Sequence, residues 1–230
     1  MQLATSELEG YKSLFDTNYI PCRLVGREKE TRFVNGFITD NLRLKEGCGI
    51  KERFGTTLLI EGIKGVGKST LIRKVLCEQI PLQLGSEISN PIHNLIINCL
   101  EKDEINVLLE LANKLELQVQ TADLAFQDTV SLWGIVSNYL RKNGRDILLN
   151  IFFNNLECVP LHFITKLTAN LKNLGSNIIF TSSVRHNQFL LEHSDVNVNL
   201  DTYESNDLHQ IVQDRYETAF KDENTDITDY

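Results

Sequence analysis

The string Gly62-Ile63-Lys64-Gly65-Val66-Gly67-Lys68-Ser69 constrains this chain more than any other feature. It fits G-x4-G-K-[ST], the pattern of a loop that wraps phosphate groups. The three glycines let the backbone fold inward without Cβ clashes. Successive N–H groups then point at one spot, beside the positive end of the helix that follows. The flanks agree with this reading. TTLLIEG, residues 56–62, is short, apolar and β-branched, and reads as a buried strand. STLIRKVLCEQI reads as a helix stopped by Pro81. The competing explanation is a glycine-rich strand–helix turn with a chance lysine. With Gly near 7% of residues, that match is expected roughly once in a hundred chains of this length. The loop 62–70 is therefore expected to bind a nucleoside triphosphate, most simply ATP with Mg2+. Lys68 would reach the β- and γ-phosphates, the Ser69 hydroxyl would ligate magnesium, and Thr70 would add a contact to the α-phosphate.

The rest of the chain alternates strands with helices. Residues 28–45 form an amphipathic stretch, with Phe33, Phe37 and Leu44 near helical spacing and Val34, Ile38 and Leu42 filling the stripe. Residues 46–55 read as a turn region. Strands are expected at 93–100, 146–153 and 176–182, with helices at 103–117, 128–142 and 161–174. DVNVNLD, residues 195–201, alternates as an edge or half-buried strand does, and 205–220 is the last helix. The pattern predicts an α/β fold: a P-loop NTPase with a parallel sheet covered by helices on both faces. The expected organisation is a lead-in at 1–19, a nucleotide-binding domain at 20–222 and an acidic tail at 223–230.

Composition narrows the function further. The 230 residues suffice for one α/β domain and are tight for two. A net charge of −8 makes DNA binding by this chain alone the weaker expectation, since neutralising phosphates takes a basic face. Lys12, Arg43, Lys45, Lys51 and Arg53 scatter through the first quarter and read as a solvated face. Cys22, Cys48, Cys77, Cys99 and Cys158 are far apart, and the five histidines show no metal spacing, so a zinc site is not expected. No stretch approaches the roughly 20 apolar residues of a membrane span, and the N-terminus lacks a signal-peptide pattern. Unpaired thiols without a secretion signal predict a cytoplasmic protein. Trp133 sits at helical spacing with Leu132, Val136 and Leu140 and reads as core packing.

Upstream of the loop lies IPCRLVGREKE, residues 20–30. It resembles the adenine-side motif of the AAA+ replication initiators, the origin-recognition-complex subunits and helicase loaders of archaea and eukaryotes. Pro21, Gly26, Arg27, Glu28 and Glu30 stand in the family's order. LRKNGRDILL before the third strand and YESNDLHQIVQDRYETAF near the end are similar too, so the resemblance spans roughly residues 15 to 222. It implies an AAA+ core, with Leu24, Val25 and Gly26 lining the adenine. It also implies partnership with other AAA+ initiator-type subunits, DNA contact only indirectly or within a complex, no membrane, and a nucleoid-associated or nuclear location. The family continues into a helical lid and usually a winged-helix domain, and neither is expected here.

The departures bear on mechanism. After the third strand the family has an Asp for magnesium and a Glu that polarises water. IFFNNLE puts Asn154 and Asn155 at those positions. Asparagine is neutral, so it can neither act as a base nor complement the metal's charge. The alternative register, with Asn150 at the Asp, does not restore the pair. Glu157 matches a separate acidic position and is not expected to face the γ-phosphate. The family's polar residue after the fourth strand, usually Asn, is Ser182 here, followed by Ser183. No arginine lies between His186 and Asp214, where the family supplies one to a neighbouring subunit; Arg185 is the nearest. The expectation is an ATP-binding protein with weak or no hydrolysis, using ATP as a structural or assembly switch in an origin-recognition-like role in DNA replication. Two alternatives stay open. One is an active P-loop ATPase of another class, such as a signalling or defence NTPase, with Glu157, Glu101 or a residue supplied in trans as base. The other is an interaction module with a vestigial site, against which the intact Lys68-Ser69 pair argues.

Overall fold

The computed structural model describes residues 19–46, 54–117, 128–143, 147–184 and 186–219. Five strands form one parallel sheet: β1 (Thr57–Glu61), β2 (Ile92–Asn98), β3 (Leu148–Asn154), β4 (Asn177–Ser182) and β5 (Val196–Asn199), in the order β2-β3-β4-β1-β5. The three central strands are buried on both faces, which is why β1, β3 and β4 read as near-continuous apolar runs. β5 alternates because it lies at an edge, as its sequence indicated.

Side-chain alternation sends each strand's residues into two cores. On one face Leu58, Ile60, Phe152 and Ile179 pack under α1 (Glu28–Glu46), α2 (Lys68–Lys74) and α3 (Ile80–Leu84). On the other, Leu59, Ile151, Phe153 and Phe180 pack under α4 (Glu104–Lys114), α5 (Thr129–Asn143), α6 (Leu161–Asn173) and α7 (Gln188–Glu192). Each such fully buried side chain contributes about 1.5–3 kcal/mol. Trp133 packs against this second core. Asp103 caps α4 by accepting the Asn106 N–H, so that helix starts one residue inside the expected span. The last helix, α8 (Ser205–Ala219), buries no residue.

Three expectations need correction. In α1 the buried face is Thr31, Val34, Ile38, Thr39, Leu42 and Lys45, while Phe33 (51% exposed) and Leu44 (69%) lie off it. At 100° per residue those two cannot share a stripe with Val34 and Ile38. Lys45 is accordingly not solvated: it is buried and donates to Asn177 Oδ1. Arg43 does lie at the surface, paired with Glu87 at 2.7 Å, and Lys12, Lys51 and Arg53 fall outside the described residues. Pro81, finally, does not stop the helix. The chain widens into a π turn at Val75–Gln79 and continues through α3 to Leu84. Pro81 has no N–H to give back to the preceding turn, and the Leu76 carbonyl accepts from Asn94 Nδ2 at 2.7 Å instead.

Candidate functional site

β4 lies between β1 and β3, so the C-terminal ends of these three strands meet at one place. There the phosphate loop leaves β1. Gly65 and Gly67 have φ +90 and +87, left-handed values that glycine adopts without penalty. A Cβ built on Gly65 meets nothing within 4 Å, so this turn faces open space. Val66 points the other way, into the core beneath. Ile63 and Lys64 are exposed. Gly67 caps α2 without a side chain, which leaves the first-turn amides of Lys68, Ser69 and Thr70 without a side-chain partner from the cap. The arrangement suits an anion.

Lys68 is buried, and its Nζ donates to Gly62 O at 2.7 Å and Ile63 O at 2.9 Å. Burial lowers its pKa from the ordinary value, and the charge of the Glu157 carboxylate offsets part of that. Glu157 Oε1 accepts the Ser183 N–H at 2.8 Å. Its Oε2 is buried without a hydrogen-bond partner among the described residues.

Ser69 Oγ donates to Asn154 Oδ1 at 2.7 Å, and Thr181 Oγ1 donates to the same oxygen at 2.9 Å. Asn154, not Asn150, therefore meets the phosphate loop; Asn150 is wholly buried mid-strand. Asn155 sits at φ +58, with Nδ2 on Asn98 Oδ1 at 3.1 Å. Ser182 is fully buried, and its carbonyl accepts the Gly62 N–H at 3.3 Å. Its hydroxyl is engaged by its own loop, donating to Val184 O at 3.0 Å and accepting the Val184 N–H at 3.2 Å. Arg185 lies outside the described residues.

Beside the loop opens a cleft of about 800 Å³, within the range of small-molecule sites. Leu24 and Val25 line it together with Gly65, Gly67 and Thr70, so the upstream segment and the phosphate loop share one cavity. Gly26 turns beneath it at φ +67, where a Cβ would strike the Asp207 carboxylate at 2.6 Å. The opposite wall comes from Tyr203 and from Leu208, Ile211 and Tyr216 of α8. These wall residues were missed in the sequence, although Leu208, Ile211 and Val212 carry a helical apolar pattern. Arg27, quoted only as a motif letter, holds the region together. Its buried guanidinium donates to Val66 O at 3.3 Å and to Asp201 O, and lies 4.1 Å over the Tyr203 ring.

The residues present fit a nucleotide: an open glycine turn, free helix amides, a lysine and an apolar cleft. For magnesium the chain offers neutral oxygens, Ser69 Oγ and Asn154 Oδ1, with no carboxylate at 154 or 155. Among the described residues there is no cluster of three His, Cys, Asp or Glu suited to a metal ion, and no helix long and apolar enough to cross a membrane.

No protein-family model and no curated protein matches the sequence. Solved structures do match. The ORC1 protein of Aeropyrum pernix in complex with DNA aligns with TM-score 0.74 and 16% identity, covering 91% of this chain and 53% of that one. The ORC2 protein of the same organism, in ADPNP–ADP complexes, aligns at 0.69 and 16%, covering 90% and 56%. Drosophila ORC bound to DNA aligns at 0.61 and 15%, covering 94% and 54%. This chain thus spans about half the length of the structures it matches. The chain shares the α/β fold of these origin-recognition proteins, the neighbours that the upstream motif and the closing stretch implied.

Proposed function

We propose that this chain binds ATP with magnesium in the cleft between the phosphate loop and α8, turns it over slowly or not at all, and uses it as an assembly switch. The carrying observation is the Ser69–Asn154 contact, which puts a neutral amide where a metal-binding carboxylate would favour catalysis. ADP and ADPNP in a structural neighbour support the ligand class. Lys68 would hold the β- and γ-phosphates. Ser69 would offer its hydroxyl to the metal and Thr70 a contact to the α-phosphate, while Leu24, Val25 and Gly26 would flank the base. Residues 20–222 would form the nucleotide-binding domain. With neither base nor strong metal ligand at 154 and 155, bound ATP would bias conformation rather than be consumed. The partners would be other AAA+ initiator-type subunits in a replication-initiator assembly, with DNA reached through the complex.

Glu157 favours a second reading, an active ATPase. Its carboxylate lies within charge range of Lys68 and has one buried oxygen without a partner among the described residues. ATP affinity and steady-state phosphate release, measured for the wild type and Glu157→Gln, separate the two. The first reading expects binding with little turnover in either protein. Robust turnover that vanishes in Glu157→Gln establishes the second.

A further inference from the structure

Three asparagines occupy directly paired positions on adjacent strands: Asn94 of β2 opposite Asn150 of β3, and Asn150 opposite Asn177 of β4. All point to the face covered by α1, α2 and α3. Asn177 Nδ2 donates to Asn150 Oδ1 at 2.8 Å, Asn150 Nδ2 donates to Asn94 Oδ1 at 2.8 Å, and Asn94 Nδ2 donates to the main-chain carbonyl of Leu76 at 2.7 Å. At the far end Asn177 Oδ1 accepts from Lys45 Nζ and from Thr56 Oγ1.

The two ends explain each other. In the π turn the Ile80 N–H bonds Val75 O, five residues back. The next donor in that series, for Leu76 O, is residue 81. That residue is proline and has no N–H. Leu76 O would be an orphan in a buried helix, and Asn94 satisfies it. At the other end an ammonium can only donate, so Asn177 must present its oxygen to Lys45 and its Nδ2 to Asn150. The same logic passes through Asn150 and fixes Asn94 with its Nδ2 toward Leu76. The direction of every amide is thus set at Lys45, on the helix upstream of β1. It is read out at the helix that begins with Lys68 and Ser69.

We propose that Asn94 is a positioning residue for the phosphate loop. Through the Lys45–Asn177–Asn150–Asn94 chain it holds the helix after the loop in its π-turned register, replacing the N–H that Pro81 lacks. The effect on nucleotide rests on the ATP-binding reading above; the effect on the helix does not.

The test is a cycle of Asn94→Leu, Pro81→Ala and the double variant, each followed by urea unfolding and by affinity for a fluorescent ATP analogue. The Pro81→Ala substitution supplies the missing N–H to Leu76 O. Loss of the Asn150 partner is common to both backgrounds and cancels. In the wild-type background Asn94→Leu should raise the unfolding constant on the order of tenfold or more, the usual consequence of stranding a buried polar group. In the Pro81→Ala background the same substitution should act several-fold less. ATP-analogue affinity should fall in Asn94→Leu and recover in the double variant, measured where each protein is fully folded. If Asn94→Leu does not fold, Asn94→Ala takes its place in the same cycle. An equal effect of the substitution in both backgrounds overturns the link to Pro81. Unchanged affinity in a destabilised Asn94 variant overturns the positioning role. A wild type that binds no ATP analogue contradicts the nucleotide reading instead, and the stability cycle still decides the link.

Discussion

Ser69 and Asn154 share a hydrogen bond of 2.7 Å in which the serine donates and the neutral amide oxygen accepts. Thr181 donates to that oxygen as well. An aspartate at 154 would keep both bonds, since a carboxylate accepts wherever the amide oxygen did. Asn155 is different. It stands in left-handed backbone at φ +58, which asparagine tolerates and which disfavours other L-residues by about 1–2 kcal/mol. We predict that Asn154→Asp with Asn155→Glu strengthens magnesium-dependent ATP binding but leaves turnover slow, because no arginine lies between His186 and Asp214. Phosphate release measures it. A gain of about 10³-fold, the lower end of what an arginine finger supplies, would show that the asparagine pair was the only block.

Lys68 bonds two carbonyls of its own loop, and the Glu157 charge offsets part of the cost of its burial. Lys68→Ala is expected to leave thermal unfolding nearly unchanged while lowering ATP affinity about thirtyfold or more, the usual result of truncating one member of a desolvated charge pair. Calorimetric titration checks the affinity. Wild-type affinity in this variant would remove the nucleotide assignment.

Gly67 joins the phosphate loop to the cleft wall. A Cβ at this position would lie 2.5 Å from the Tyr203 hydroxyl and 3.7 Å from the ring carbon bearing it. Gly67→Ala should therefore weaken ATP binding, through left-handed strain of about 1–2 kcal/mol and displacement of Tyr203. Adding Tyr203→Phe removes the atom at 2.5 Å and should restore part of the loss. No recovery in the double variant would assign the whole effect to the backbone.

The edge strand β5 is anchored by an acid. Burial alone would raise the pKa of Asp195. Lys172, at 2.8 and 2.9 Å, and the Thr57 N–H and hydroxyl, at 2.7 and 2.9 Å, outweigh it and hold the carboxyl below its usual value. A carboxyl whose pKa is lower folded than unfolded stabilises the fold above its unfolded pKa of about 3.9. That contribution disappears as pH falls through the folded pKa. Asp195→Asn should be less stable than the wild type at pH 7, and the gap should narrow progressively below about pH 4. Urea unfolding across that range measures it. A gap independent of pH would mean that the amide loses packing rather than charge.

The sheet was legible because β1, β3 and β4 are buried on both faces and spell apolar runs, and the phosphate loop because its glycines and Lys68-Ser69 are contiguous. What escaped depends on contacts between distant residues. Lys45 looks like one more surface lysine until Asn177 is seen to lie 132 positions away in sequence and in contact. Pro81 is a sound stop signal in an isolated helix, but Asn94 satisfies the carbonyl it strands. Phe33 and Leu44 counted toward an apolar stripe, although helical rotation turns both away from Val34 and Ile38. Tyr203 and α8 were assigned to the end of the fold, and only their packing over Gly67 and Gly26 makes them a wall of the cleft.

The most direct test of the central claim is to incubate the purified protein with ATP and magnesium, remove free nucleotide, and identify over several hours what remains bound. A switch with neutral groups at 154 and 155 predicts intact ATP, retained by the wild type and lost in Lys68→Ala. Bound ADP with released phosphate, or no retained nucleotide, would contradict it.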